Sequence, residues 1–141
     1  MTGITVNYLS VIVAAIVAFA FGAAWYMSLG KQWMAAIGKT EADLMPGGKQ
    51  DPVPYVLTLL MQLVMAYFLG GLIVHLGAAT LKGGLITGFF VWLAFVVTTQ
   101  IVNHRFSRMP WSLTAIDCGH WLGVFLLQGA VLGWWNGSAA A

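Results

Sequence analysis

The sequence predicts an all-α membrane protein: one four-transmembrane-helix bundle. Three observations carry this prediction. Only 7% of the 141 residues are charged, against roughly 25% in an ordinary soluble domain. Hydrophobic residues make up 60% of the chain before its 17 Gly are counted. Finally, four stretches each hold about 20 apolar residues, the length that crosses a hydrocarbon core of about 30 Å as a helix. Six Lys and Arg, four Asp and Glu and three His cannot cover the surface of a globule this small. A soluble enzyme, a nucleic-acid binder and a disordered chain are therefore disfavoured.

The first stretch runs from about Tyr8 to Leu29, with no charged side chain before Lys31. Ala18-Phe19-Ala20 resembles a signal cleavage site, but residues 1–7 lack the Lys or Arg of a basic leader, so the segment reads as a retained helix. The others run from about Tyr55 to Leu76, Gly83 to Val102 and Ser112 to Trp135. Each is apolar all round rather than alternating, which argues for helices in lipid and against barrel strands. Together they form a single domain over residues 1–136, and residues 137–141 read as a flexible tail.

The 30–54 segment is the only sizeable part outside the spans. Trp33, Met34 and Ile37 fit a short helix on the membrane surface over Lys31–Ile37. Thr40 to Asp43 has capping-box form, and Pro46-Gly47-Gly48 with Pro52-Val53-Pro54 breaks the chain before the second span. Lys31, Lys39, Lys49, Arg105 and Arg108 fall in loops 30–54 and 103–111, and only Lys82 falls on the other side. That asymmetry predicts both loops in the cytoplasm and both termini outside. Tyr8, Trp25, Tyr26, Tyr55, Trp111, Trp134 and Trp135 lie near span ends, where amphipathic rings favour the headgroup level. Trp92 and Trp121 lie deeper and read as packing residues. The net charge of +2 offers no basic patch for nucleic acid. Cys118 has no second Cys for a disulfide or a metal site.

Asp117 is the sole acid within a span, and a charged Asp at a helix centre costs about 2.5–3.5 kcal/mol on insertion scales. It lies about 7–8 Å from the near helix end, counted at about 1.5 Å per residue. Alternating helix direction puts Thr58, Gln62, Thr98, Thr99, Gln100, Asn103, Asp117 and His120 in one half of the membrane. Gln62 follows Thr58 by four residues and His120 follows Asp117 by three, so each pair shares a helix face. These polar groups are expected to form one hydrogen-bonded cluster inside the bundle, with Arg105 or Arg108 neutralising Asp117. His75 lies at the opposite end and cannot join Asp117 and His120 as a third metal ligand. Two ligands fall short of the three or four a divalent ion wants. Neither a metal site nor a cofactor is expected, and no catalytic constellation is legible.

Small residues recur at four-residue spacing: Ala14, Ala18 and Gly22 on the first helix, Gly84 and Gly88 on the third, and Gly119/Gly123 and Gly129/Gly133 on the fourth. Such stripes allow close backbone approach between packed membrane helices, within the chain or with a partner. Gly70-Gly71 in the second helix suggests a bend.

Several blocks together resemble one family: Asn7-Tyr8, Phe21-Gly22-Ala23-Ala24-Trp25-Tyr26 with Gly30-Lys31-Gln32-Trp33-Met34, Trp92-Leu93-Ala94-Phe95-Val96 to Asn103, and Asp117-Cys118-Gly119-His120-Trp121-Leu122 closing with Gly133-Trp134. The chain resembles the domain of unknown function 1761, small bacterial integral membrane proteins, over nearly its whole length. That resemblance implies four membrane helices and supplies no substrate, cofactor or active site. His120 stands where the family usually carries Tyr, which argues against a family-wide catalytic His. The functional expectation is a non-enzymatic inner-membrane protein, acting as a homo-oligomer or as an accessory subunit of a membrane complex. The alternative is a small transporter or a proton or ion permeation unit built on the Asp117–His120 cluster.

Overall fold

The computed structural model describes residues 6–138. Helix α1 (Tyr8–Ile37) opens on Asn7, whose Oδ1 accepts the N–H groups of Leu9 and Ser10 at 2.9 and 3.2 Å and satisfies two otherwise orphaned donors. The sequence expectation ended this helix near Leu29 and set a separate surface helix over Lys31–Ile37. Instead, one helix of 30 residues runs through both. Nothing in the Leu29–Ile37 stretch breaks it, since it holds no Pro and Gly30 meets nothing nearby. The helix closes only at Gly38 (φ 68°), where Gly38 and Lys39 donate to Ala35 and Met34 carbonyls. At about 1.5 Å per residue it is about 45 Å long, well beyond a core of about 30 Å.

The connection holds one short turn of helix, α2 (Glu41–Leu44), closed by the expected capping box: Thr40 Oγ1 accepts the Asp43 N–H, and Asp43 Oδ2 accepts the Thr40 N–H at 2.8 Å. A 3₁₀ turn (Pro46–Gly48) follows. Helix α3 (Val53–His75) passes through Gly70-Gly71 unbroken. The third span, Leu81–Phe106, comprises α4 (Leu81–Val91), a π-helical segment (Trp92–Val97) and α5 (Thr98–Phe106). Helix α6 (Trp111–Ser138) completes the chain. Gly137 and Ser138 belong to α6 rather than to the expected tail, and residues 139–141 lie outside the described ones. Among the described residues there is no strand, and the four spans form an all-α membrane bundle.

Helix α6 is the hub, packed by α1, by α4 and by α3. It is the least apolar of the four spans, consistent with its neighbours rather than lipid covering its polar positions. The small residues make this arrangement possible, and they act inside the chain. A Cβ at Gly84 would overlap the Gly129 carbonyl, and one at Gly88 would overlap that of Phe125. A Cβ at Gly133 would meet the backbone of Thr80 and Gly84. On the α1 side, Gly119 and Gly123 seat the rings of Trp25 and Phe21, and Gly22 seats His120. Ala14 and Ala18 are fully buried. The apolar core gathers Val11 and Ala14 of α1, Ala66, Leu69 and Ile73 of α3, and Phe125 and Leu132 of α6.

The π segment decides which face of α5 meets α6. A 3.6-residue stripe continued from Gly84 and Gly88 would run on through Phe95, Thr98 and Val102. All three are exposed, and the half-buried stripe resumes instead at Val96, Gln100 and His104. A π turn takes up one residue more than an α turn, so it advances the inward-facing set along the sequence. Trp92 pins the segment to α6 by donating from Nε1 to the Cys118 carbonyl at 2.8 Å. The hydroxyls of Thr98 and Thr99 donate back to the Ala94 and Phe95 carbonyls at 2.7 and 2.6 Å, so the lipid-facing side carries no bare hydroxyl.

Candidate functional site

The intramembrane acid sits where α1, α5 and α6 meet, at the end of the bundle that carries the 38–52 connection. Tyr26 of α1 donates its phenolic proton to Asp117 Oδ1 at 2.9 Å. His104 of α5 brings Nε2 within 3.7 Å of Asp117 Oδ2, each side chain being 17% exposed. On its other side, His104 Nδ1 lies 3.0 Å from Thr114 Oγ1, and Arg105 Nη2 donates to that same oxygen at 2.9 Å. Thr114 Oγ1 thus bridges the Arg105 guanidinium and the His104 ring. The result is a polar chain from Arg105 through Thr114 and His104 to Asp117, closed by Tyr26.

Neighbouring indoles hold the frame around that chain. Trp25 donates to the Ile116 carbonyl at 3.2 Å and Trp92 to that of Cys118. One bond on either side of Asp117 thus ties α6 to α1 and to the third span. Trp33 stands edge-on to Tyr26 with ring centroids 5.8 Å apart. That contact uses the part of α1 beyond Leu29 that the sequence expectation treated as a separate helix.

The structure divides the expected single cluster. Asp117 and His120 both touch Tyr26, the first its hydroxyl and the second its ring, but make no hydrogen bond to each other. The His120 ring lies among Phe21, Tyr26 and Trp121, with centroids 6.2, 4.9 and 4.9 Å away, and its Nδ1 is buried without a partner. Gln62 lies apart, in a buried pair with Gln128: Gln128 Nε2 donates to Gln62 Oε1 at 2.6 Å and to the Gln62 backbone carbonyl at 3.2 Å. Thr58, like Thr98 and Thr99, bonds a carbonyl of its own helix, and Asn103 is exposed. Gln100 is half-buried with Oε1 unpartnered. The expected charge partners also differ. Arg105 donates to Thr114 and lies over the Trp111 ring, 3.8 Å from its centroid, rather than facing Asp117, and Arg108 is exposed. The residue facing Asp117 is His104. Among the described residues, no three His, Cys, Asp or Glu side chains come together as metal ligands.

Sequence reasoning missed Tyr26, His104, Thr114 and Gln128. Tyr26 was read as an interfacial ring, and His104 was placed in a loop because the third span was ended at Val102. Helix α5 runs on to Phe106. A family model described as "Protein of unknown function (DUF1761)" matches residues 9–133. The chain belongs to this family. The DUF1761 match spans all four membrane helices and includes Tyr26, His104, Thr114 and Asp117. No curated protein and no solved structure matches the chain.

Proposed function

We propose that this DUF1761 chain is a non-enzymatic, multi-pass protein of the bacterial inner membrane that works by associating with a second copy of itself or with another membrane protein. One observation carries the reading: the uneven cover of its spans. Only 11% of the most apolar stretch of Leu81–Phe106 is buried, against 33%, 28% and 33% in the other three. With the glycine stripes engaged inside the chain, the association surface consists of larger side chains such as Leu93, Phe95 and Val102, all exposed. Native mass spectrometry from mild detergent is expected to show dimers, higher oligomers or a co-purifying membrane protein. A bare monomer across detergents overturns the reading.

The excess of Lys and Arg in loops 30–54 and 103–111 supports a cytoplasmic location for both, with the termini outside. Single cysteines at positions 39 and 82 in a Cys118→Ala background test this. An impermeant maleimide added to intact cells should label position 82 and spare position 39, and the reverse pattern overturns the orientation.

The Asp117 site favours a second reading, a proton or ion permeation unit. Its support is an intramembrane carboxylate facing an imidazole and partly open at one end of the bundle. Proteoliposomes carrying the protein should then dissipate a pH gradient, and Asp117→Asn should abolish that flux. Flux unchanged by Asp117→Asn removes this reading.

A further inference from the structure

We propose that the turn between α5 and α6 binds the phosphate of an anionic phospholipid headgroup, in the leaflet that this end of the bundle faces. The inference needs only that the bundle sits in a bilayer, and it goes beyond both readings above. Three observations converge on the turn.

The first is a guanidinium held ready. Arg105 lies flat against the Trp111 ring and is steered by Thr114 Oγ1, so its conformation is fixed before any ligand arrives. Among the described residues neither Arg105 nor Arg108 has a carboxylate at ion-pair distance, because Asp117 faces His104. The Arg105 Nε is buried and one Nη2 proton goes to Thr114, and the guanidinium donors that remain match the oxygens of a phosphodiester.

The second is where Arg108 stands. Met109 N–H donates to the His104 carbonyl and Arg108 N–H to that of Arg105, at 2.8 and 3.1 Å. This is the paired closure of a helix C-terminus whose left-handed residue is usually Gly. Helices α1 and α3 end in the same closure and use Gly38 and Gly77, with φ 68° and 64°. Only α5 places a side chain there, at φ 56°, and that side chain is an exposed cation three residues from Arg105. Glycine would hold the turn with less strain, so the charge is what the position gains.

The third is the setting. Phe106 is 88% exposed and Trp111 62% exposed, one following Arg105 directly and the other three residues after Arg108. Exposed aromatic rings next to cations fit the boundary between acyl chains and headgroups. There a basic side chain raises affinity for anionic lipid about fivefold.

The test is native mass spectrometry of the full chain in mild detergent, with phosphatidylglycerol and phosphatidylcholine added in equal amounts. The wild-type protein should retain phosphatidylglycerol several-fold over phosphatidylcholine. Arg108→Gly preserves the turn and should lower that retention about fivefold. Arg105→Gln should lower it by at least as much. Equal retention of the two lipids overturns the proposal, as does unchanged retention in both variants. Millimolar inorganic phosphate that displaces phosphatidylglycerol completely also overturns it, since the site would then take a free anion rather than a lipid.

Discussion

If the π segment in the third span absorbs one extra residue, the chain should respond oppositely to losing a residue there and to gaining one. Deleting Ala94 lets Trp92–Val97 close into ordinary α-helix while Gln100 and His104 keep facing α6. Inserting one Ala between Val97 and Thr98 has no such outlet. It turns everything downstream by about 100° and advances it about 1.5 Å. A Cα on a cylinder of radius about 2.3 Å then moves about 3.8 Å in all, and the imidazole farther out moves more. The 3.0 Å contact between His104 and Thr114 and the 3.7 Å approach to Asp117 do not survive a displacement of that size. Cysteines at 104 and 114, in a Cys118→Ala background, report it by oxidative cross-linking read by mass spectrometry. The parent and the Ala94 deletion should cross-link at similar rates, and the insertion at least tenfold more slowly. A deletion that abolishes cross-linking, or an insertion that preserves it, refutes the register argument.

Other perturbations follow from the packing. Gly84→Ala forces a Cβ onto the Gly129 carbonyl and should cost about 1–3 kcal/mol, seen as a lower melting temperature in detergent; an unchanged melt contradicts backbone-to-backbone contact. Gln62→Leu or Gln128→Leu alone strands a buried amide and should cost about 1–3 kcal/mol, whereas the double variant should be nearly neutral; strictly additive losses contradict the pairing. In the connection, the Thr40 hydroxyl, and then the Thr40 backbone N–H, hold the Asp43 carboxyl below its ordinary value of 3.8. A lowered acid stabilises its fold above the ordinary value and loses that contribution as pH falls through the lowered one. The Thr40 amide resonance should therefore titrate with a midpoint below 3.8, and a midpoint at or above it contradicts the capping box.

The four spans were legible because a bilayer demands length and apolarity, and both can be read directly from the sequence. Their ends were harder. Helix α1 outran its apolar stretch because nothing stopped it before Gly38, and that overrun carries Trp33 to Tyr26. The glycine stripes announced close packing but not its partner, since Gly84 against Gly129 and a contact with a second chain leave the same pattern. Asp117 stood out as the lone intramembrane acid. Its neighbours did not, because Tyr26 has the signature of an interfacial ring and His104 lies past the apolar stretch that ends at Val102. The π turn directs Thr98 toward lipid and His104 toward α6. Gln128 stands alone among apolar residues between Trp121 and Trp135, and its meaning comes only from Gln62, 66 positions away.

The central place of α6 bears on how the protein is made. Synthesis runs from the N-terminus, so the helix against which α1, α3 and α4 all pack is made after the other three spans. Until then Gln62 lacks its amide partner, Tyr26 and His104 lack their carboxylate, and Gly84 and Gly88 offer a groove with nothing to fill it. The first three spans therefore lack most of their packing surface until α6 is in place. Loss of a few C-terminal turns would prolong that stage rather than merely trim the finished molecule.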